Sequence, residues 1–275
     1  FINYNFKKIL FPHLSFKNYN KQFPYLFFAK PKIIRTYKIE TSNSKQVSIN
    51  LKKDLLKYDI YKDIIKKIKQ ELRWGNTYQI NFTNDKHYEC SHHGFDMYMY
   101  LRNYAKPKYG FYINYAKFKI LSLSPELFFK KYGNIIQSYP MKGTKKRSTN
   151  QKIDNKLKEE LKHSVKDRAE HLMIVDLLRN DIGKIAIPGS VHVNQLYKVQ
   201  SYSTVHQMIS KVEAKLEKKI KEIDIIKALF PGGSVTGAPK ENSMKIIDKL
   251  ENYSRDLYTG SIGYIKPNGD SIFNI

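Results

Sequence analysis

Pro231-Gly232-Gly233-Ser234-Val235-Thr236-Gly237-Ala238-Pro239-Lys240 is a glycine-rich loop that runs directly into a helix. Its glycines let backbone N–H groups come close to a ligand, and a helix N-terminus favours an anion there. The pattern is not that of a phosphate-binding P-loop, because Lys240 follows proline rather than glycine. The same residues also suit a tight turn that feeds a proline-started helix. Beyond the loop, Met244, Ile247 and Leu250 recur at helical spacing.

Working outward, the chain mixes both periods. Ile64, Ile65, Ile68 and Leu72 predict an amphipathic helix over Tyr61 to Trp74 that stops at Gly75. Tyr78 to Thr83 alternates like a strand, Phe111 to Ser124 is β-rich, and Ile135 to Tyr139 leads as a strand into Pro140. Asp154 to Asn180 reads as one long helix with Leu157, Leu161 and Val165 on a stripe; Val191 to Val193 and Tyr202 to Val212 read as strands. In residues 1–50, aromatic and polar residues alternate and Pro12, Pro24 and Pro31 interrupt, which predicts short strands and turns. Phe1-Ile2-Asn3-Tyr4 reads as mid-domain. No internal repeat or low-complexity linker is present, so an α+β architecture is expected.

The 275 residues suffice for a buried core, and 41% apolar residues suit a folded chain. Lys+Arg 49 against Asp+Glu 25 gives a formal charge of +24, which raises nucleic acid as a partner. Arginine, however, occurs only at 35, 73, 102, 147, 168, 179 and 255, and the lysines are scattered. Abundant Lys, Asn, Ile and Tyr share A/T-rich codons, so a drifted genome explains the set and no nucleic-acid partner is expected. The lone Cys90 excludes an intrachain disulfide scaffold. No apolar run reaches the 18 or so residues of a membrane helix, and no charged-then-apolar leader is seen. A soluble, cytoplasmic protein with no membrane partner is the expectation.

Several residues carry chemical potential. Glu170 lies three, four and seven residues before Met173, Ile174 and Leu177, which puts a carboxylate on an apolar helix face. An unpaired charge there is costly, so it needs a metal, a base or a hydrogen-bond network, or else an ion pair such as Lys166 one turn earlier. Lys142 follows a strand and precedes Gly143; in so lysine-rich a chain an exposed turn is the plain reading. It is a useful nucleophile only if desolvated, with its pKa brought from about 10.4 toward 7–8. Glu126 ends the preceding strand and is equally open. His92-His93 beside Cys90 has no partner at zinc spacing and is read as a loop.

Together these pieces resemble a family. Ser124-Pro125-Glu126, Pro140-Met141-Lys142-Gly143-Thr144, Lys166-Asp167-Arg168-Ala169-Glu170-His171 and Asp176-Leu177-Leu178-Arg179-Asn180-Asp181 stand in the order found in chorismate-binding enzymes. Pro188-Gly189-Ser190-Val191, the 232–240 loop and Tyr258-Thr259-Gly260-Ser261-Ile262-Gly263-Tyr264 continue it. The family comprises anthranilate, aminodeoxychorismate, isochorismate and salicylate synthases, and the resemblance is dense from about Tyr61 to Ile275. It implies two layered, mostly antiparallel β-sheets flanked by helices, with the site between them and the fold truncated at both ends. Residues 1–57 would be the remainder of an N-terminal region, and 58–275 the catalytic domain without its C-terminal part.

The resemblance also implies a chemistry. Anthranilate synthases typically carry alanine at the position of Lys142, whereas aminodeoxychorismate synthases carry lysine, so amination of chorismate at C4 is expected. The Lys142 amine would add at C2 while Glu126, as general acid, protonates the departing C4 hydroxyl; ammonia would then attack C4 and expel the lysine. Glu170 matches a ligand of Mg²⁺, Ser234 and Tyr258 match positions lining the substrate, and Gly143, Thr144 and Gly233 match backbone near the ring. A glutamine amidotransferase subunit would supply ammonia. The alternatives are an anthranilate synthase or an eroded, non-catalytic form of the same fold. The family pattern continues past Ile275 to a carboxylate-binding arginine and a second Mg²⁺ glutamate, so the chain as it stands is expected to be inactive. Where anthranilate synthases have an active-site histidine this chain has Gln207, and His206 beside it would face the other way.

Overall fold

The computed structural model describes residues 1–18, 22–37, 47–54 and 56–275. The chain opens on a 3₁₀ turn (Tyr4–Phe6) and helix α1 (Lys7–Leu10), followed by β1 (Ile49–Asp54), α2 (Tyr58–Arg73), β2 (Gln79–Ile80), β3 (Lys86–Cys90) and α3 (Gly94–Ala105). Next come β4 (Tyr109–Tyr115), β5 (Phe118–Ser124), β6 (Leu127–Tyr132), β7 (Ile135–Ser138), β8 (Met141–Lys146), α4 (Gln151–His163) and α5 (Val165–Gly183). The last third holds β9 (His192–Ser201), β10 (Val205–Lys215), α6 (Glu222–Leu229), a 3₁₀ turn (Gly233–Val235), β11 (Gly237–Ala238), α7 (Lys240–Leu250), β12 (Gly263–Ile265) and β13 (Ser271–Asn274).

A seven-stranded sheet organises these elements in the order β12-β13-β6-β7-β10-β8, with β9 on the other edge of β10. β10 is long enough to pair β8 through its first half (Val205 to Ile209) and β7 through its second (Val212 to Lys215). β4 and β5 form a separate hairpin, and every pairing is antiparallel. The expected α+β class with antiparallel sheets is therefore found. α5 and α6 cover one face of the large sheet: Val175, Ile182, Ile225, Ile226 and Leu229 pack with Phe128, Phe129, Ile136, Val212 and Phe273. Phe129 and Phe273 stack at 5.0 Å, and full burial of such a ring contributes about 1.5–3 kcal/mol. Ile2 and Phe6 join that core, and Ile2 bridges to Ser261.

Four local expectations are corrected. The stretch from Asp154 to Asn180 is two helices, because Ser164 leaves helical geometry (ψ 110°) and its hydroxyl caps the Asp167 N–H of α5. Val165 is consequently exposed instead of lying on the apolar stripe. Residues 4–10 are helical, not extended; the expectation for 19–21 and 38–46 lies outside the described residues. Tyr78 to Thr83 contributes only the short β2, held by β11, and of Val191 to Val193 only His192 and Val193 are in a strand, the start of the ten-residue β9. Among the described residues, no helix is long and apolar enough to cross a membrane.

Candidate active site

A cleft of about 610 Å³ opens between β5 of the hairpin, the start of β8, the Ser234 turn and the segment Leu257 to Ile262. Glu126, Lys142, Ser234 and Tyr258 all line it. Glu126 occupies the corner between β5 and β6, which Ser124 fixes: its Oγ accepts the Glu126 N–H (3.1 Å) and donates to the Glu126 carbonyl (3.2 Å). Burial pushes the Glu126 carboxyl up to about 7, although the Ser234 hydroxyl and the Lys142 charge pull it down. A carboxyl held protonated near neutral pH suits a general acid.

Lys142 is the second residue of β8, opposite Met208 of β10. Only 15% of its side chain is exposed; Nζ donates to the Ser234 carbonyl at 3.1 Å and lies 3.8 Å from Glu170 Oε1. The exposed-turn reading of Lys142 is thus corrected by its place in a sheet beside an acid. Glu170, on α5, pairs with Lys142 rather than with Lys166, which is exposed. With 34% of its side chain exposed it is not sealed in an apolar interior, and Gln79 Nε2 donates to its Oε1 at 3.0 Å. Gln79 Oε1 is buried with no hydrogen-bond partner.

The glycines do local work. Gly143 has φ +77°, and a Cβ there would sit 3.0 Å from Asp167 Cβ and 3.1 Å from Leu161 Cδ1, so its lack of a side chain seats β8 against α4 and α5. A Cβ on Gly233 would come within 2.5 Å of Leu177 Cδ2, so glycine lets the Ser234 turn lie on α5. Thr144 is exposed and pairs with Gln207; neither Gly143 nor Thr144 is among the residues lining the cleft. Tyr258 is 60% exposed at its rim.

Behind the cleft lie polar groups that sequence reasoning gave no role. His171 is buried between α5 and β10, its Nε2 2.7 Å from Ser210 Oγ; burial, then the Lys142 charge, lowers its pKa to about 4 and keeps it neutral. His206 faces α4, with Nε2 3.0 Å from Asp154 Oδ1 and Nδ1 2.9 Å from Ser201 Oγ. Arg147 grips the same Asp154 through Nε and Nη2, and this guanidinium, followed by the Ser148 N–H, holds the carboxyl well below the usual range. His206 thus belongs to a clasp that ties the end of β8 and the start of α4 to the β9–β10 hairpin. An Asp at the fourth position of α4 was the available signal for such a clasp.

The half-buried Glu126 and the sheet-borne Lys142 line one cleft, and residues 28–275 match the chorismate binding enzyme family. The chain belongs to that family. It is 40% identical over 217 residues to aminodeoxychorismate synthase component 1 of Bacillus subtilis, covering 79% of this chain and 46% of that protein. It is equally 40% identical over 215 residues to anthranilate synthase component 1 of Saccharolobus solfataricus, covering 78% of this chain and 51% of that protein. The crystal structure of anthranilate synthase component I from Streptococcus pneumoniae superposes with a TM-score of 0.73 at 27% identity, over 84% of this chain and 51% of that one. The chain spans about half the length of the curated relatives it matches.

Proposed function

We propose that the gene product aminates chorismate at C4, as an aminodeoxychorismate synthase component 1. Overall identity does not discriminate, since the two kinds of synthase match equally well. The observation that carries the proposal is the placement of Lys142 Nζ, anchored on Ser234 O, in the cleft that Glu126 also lines. In this reaction the Lys142 nitrogen forms a bond to C2, the ring double bonds shift, and the C4–O bond breaks. Glu126 supplies the proton with which the hydroxyl leaves as water. Ammonia then bonds to C4, the double bonds shift back, and the C2–N bond to Lys142 breaks, so the lysine is recovered. The proton the amine gives up on addition returns to it on expulsion, and the proton that ammonia loses in becoming the C4 amine restores the Glu126 carboxyl.

Magnesium is part of the proposal. The residues present fit one carboxylate's share of such a site: Glu170 is accessible, and the unpartnered Gln79 Oε1 is a second hard oxygen beside it. Among the described residues no three acidic, histidine or cysteine side chains cluster, so the remaining ligands would come from substrate, water or chain beyond these residues. When bound, the ion would neutralise a substrate carboxylate during loss of the leaving group. Ammonia would reach the cleft from a glutamine amidotransferase subunit.

The test incubates the full-length gene product with chorismate, Mg²⁺ and an ammonium salt, adds aminodeoxychorismate lyase, and identifies the aromatic product. 4-Aminobenzoate that disappears with Lys142→Ala is the expected result. Anthranilate instead would place nitrogen at C2 and favour the second reading, an anthranilate synthase, which the equal match to the Saccharolobus enzyme keeps in play. Persistence of chorismate with neither product would leave a non-catalytic relative.

A further inference from the structure

Arg255 lies between α7 and β12 with only 4% of it exposed. A guanidinium carries five N–H donors in a rigid fork, and here all five are engaged. Nε and Nη2 grip the Glu251 carboxylate at 2.8 and 2.6 Å. Nη2 also donates to the Asn81 carbonyl at 2.6 Å, and Nη1 to the Val235 carbonyl at 2.8 Å and Thr259 Oγ1 at 3.3 Å. Asn81, Val235 and Thr259 come from three segments far apart in sequence, and each lines the cleft. The Tyr4 ring supports the guanidinium from one face at 4.7 Å.

Val235 O is one peptide away from Ser234 O, the acceptor that holds Lys142 Nζ at 3.1 Å. We infer that Arg255 is a positioning residue: by pinning three walls of the cleft to one rigid cation, it fixes the Ser234–Val235 peptide and through it the reach of the Lys142 amine. It touches no reacting atom. The inference rests on the reading of Lys142 as the nucleophile. Lysine in its place keeps a charge beside Glu251 but has three donors on a flexible stem, too few to span five acceptors.

The experiment compares the full-length wild type with Arg255→Lys and with the pair Arg255→Met and Glu251→Gln, which removes both buried charges together. Trace acetylation followed by peptide mass spectrometry reads the reactivity of Lys142 against Lys62, an exposed lysine of α2. Product formation is followed in parallel. In both variants Lys142 should label several-fold faster while Lys62 is unchanged. kcat should fall on the order of 10- to 100-fold with KM little altered, because a displacement of about 1 Å costs that much. Arg255→Lys should fall between wild type and the double variant, and it carries the test alone if the double variant does not fold. Wild-type labelling of Lys142 in a folded variant, or an undiminished kcat, overturns the inference. A wild type that makes no aromatic product, while Lys142 labelling still responds to Arg255, sinks the reaction and leaves the positioning role standing.

Discussion

Replacing Glu126 by glutamine makes the cost of the proposed general acid measurable. Burial lifts the carboxyl from its ordinary 4.5 to about 7. A group with a higher pKa in the folded state holds its proton more tightly there, so its stabilising contribution is complete below about 4.5. That contribution is lost as pH rises through about 7. The rise from 4.5 to about 7 corresponds to about 3 kcal/mol, a ceiling because water in the open cleft screens part of the charge. Glutamine has the same shape and no proton to lose. In urea unfolding, the stability advantage of Glu126→Gln over wild type should therefore grow by about 2–3 kcal/mol between pH 5 and pH 8. Over the same range wild-type kcat/KM should fall as the acid deprotonates, while Glu126→Gln should be slower by on the order of 10²- to 10⁴-fold throughout. A stability difference that does not change with pH would show that the carboxyl is not held protonated, and the general-acid role would go with it.

Two further substitutions probe the scaffold. Lys240 Nζ is buried against Asp181 Oδ2 at 2.6 Å and the Leu229 carbonyl at 2.9 Å, so Lys240→Met should cost about 3 kcal/mol in urea unfolding, the low end for a broken buried pair. The low end is expected because Lys184 still reaches Asp181 at 2.8 Å, and Lys240→Met with Asp181→Asn should recover most of the loss. Gly237→Ala would place a Cβ 2.0 Å from the Gln79 carbonyl at a φ of +146°, so the β2–β11 pairing must shift. A cost of about 2–3 kcal/mol is expected, read as a fall in Tm of several degrees, with activity reduced further because Gln79 holds Glu170.

How much of this was legible differs by element. α2 and α7 follow from the spacing of Ile64, Ile68, Met244 and Ile247, all of them buried, because a single helix buries one stripe whatever its partners. The break between α4 and α5 also had a local signal, since Ser164-Val165-Lys166-Asp167 is the hydroxyl-x-x-acid pattern of a helix start. The apolar period of Leu157, Leu161 and Val165 runs through that start and masks it. β9 hides its irregular course: Gln195 and Tyr197 take positive φ, which neither residue type announces. Glu126, Lys142 and Ser234 were recognisable through a family's ordered motifs, not through their own chemistry. Arg255 had neither route, because its acceptors lie 174, 20 and 4 residues away and only folding brings them to one guanidinium.

The two glutamates of the site show why residue type alone could not assign their tasks. Both stand near Lys142, and both were open to several roles in the sequence. Glu126 is placed at a strand corner whose burial favours the protonated form, so it can give a proton and has little affinity for a cation while it keeps it. Glu170 sits at a helix surface with a third of its side chain open, one oxygen already held by the Gln79 amide and a lysine within 4.0 Å. A carboxylate so placed can share charge with a cation or hold the amine. In the proposed reaction the division between acid and charge partner would be made by environment: Ser124 fixes the backbone corner that carries Glu126, and α5 leaves Glu170 partly open.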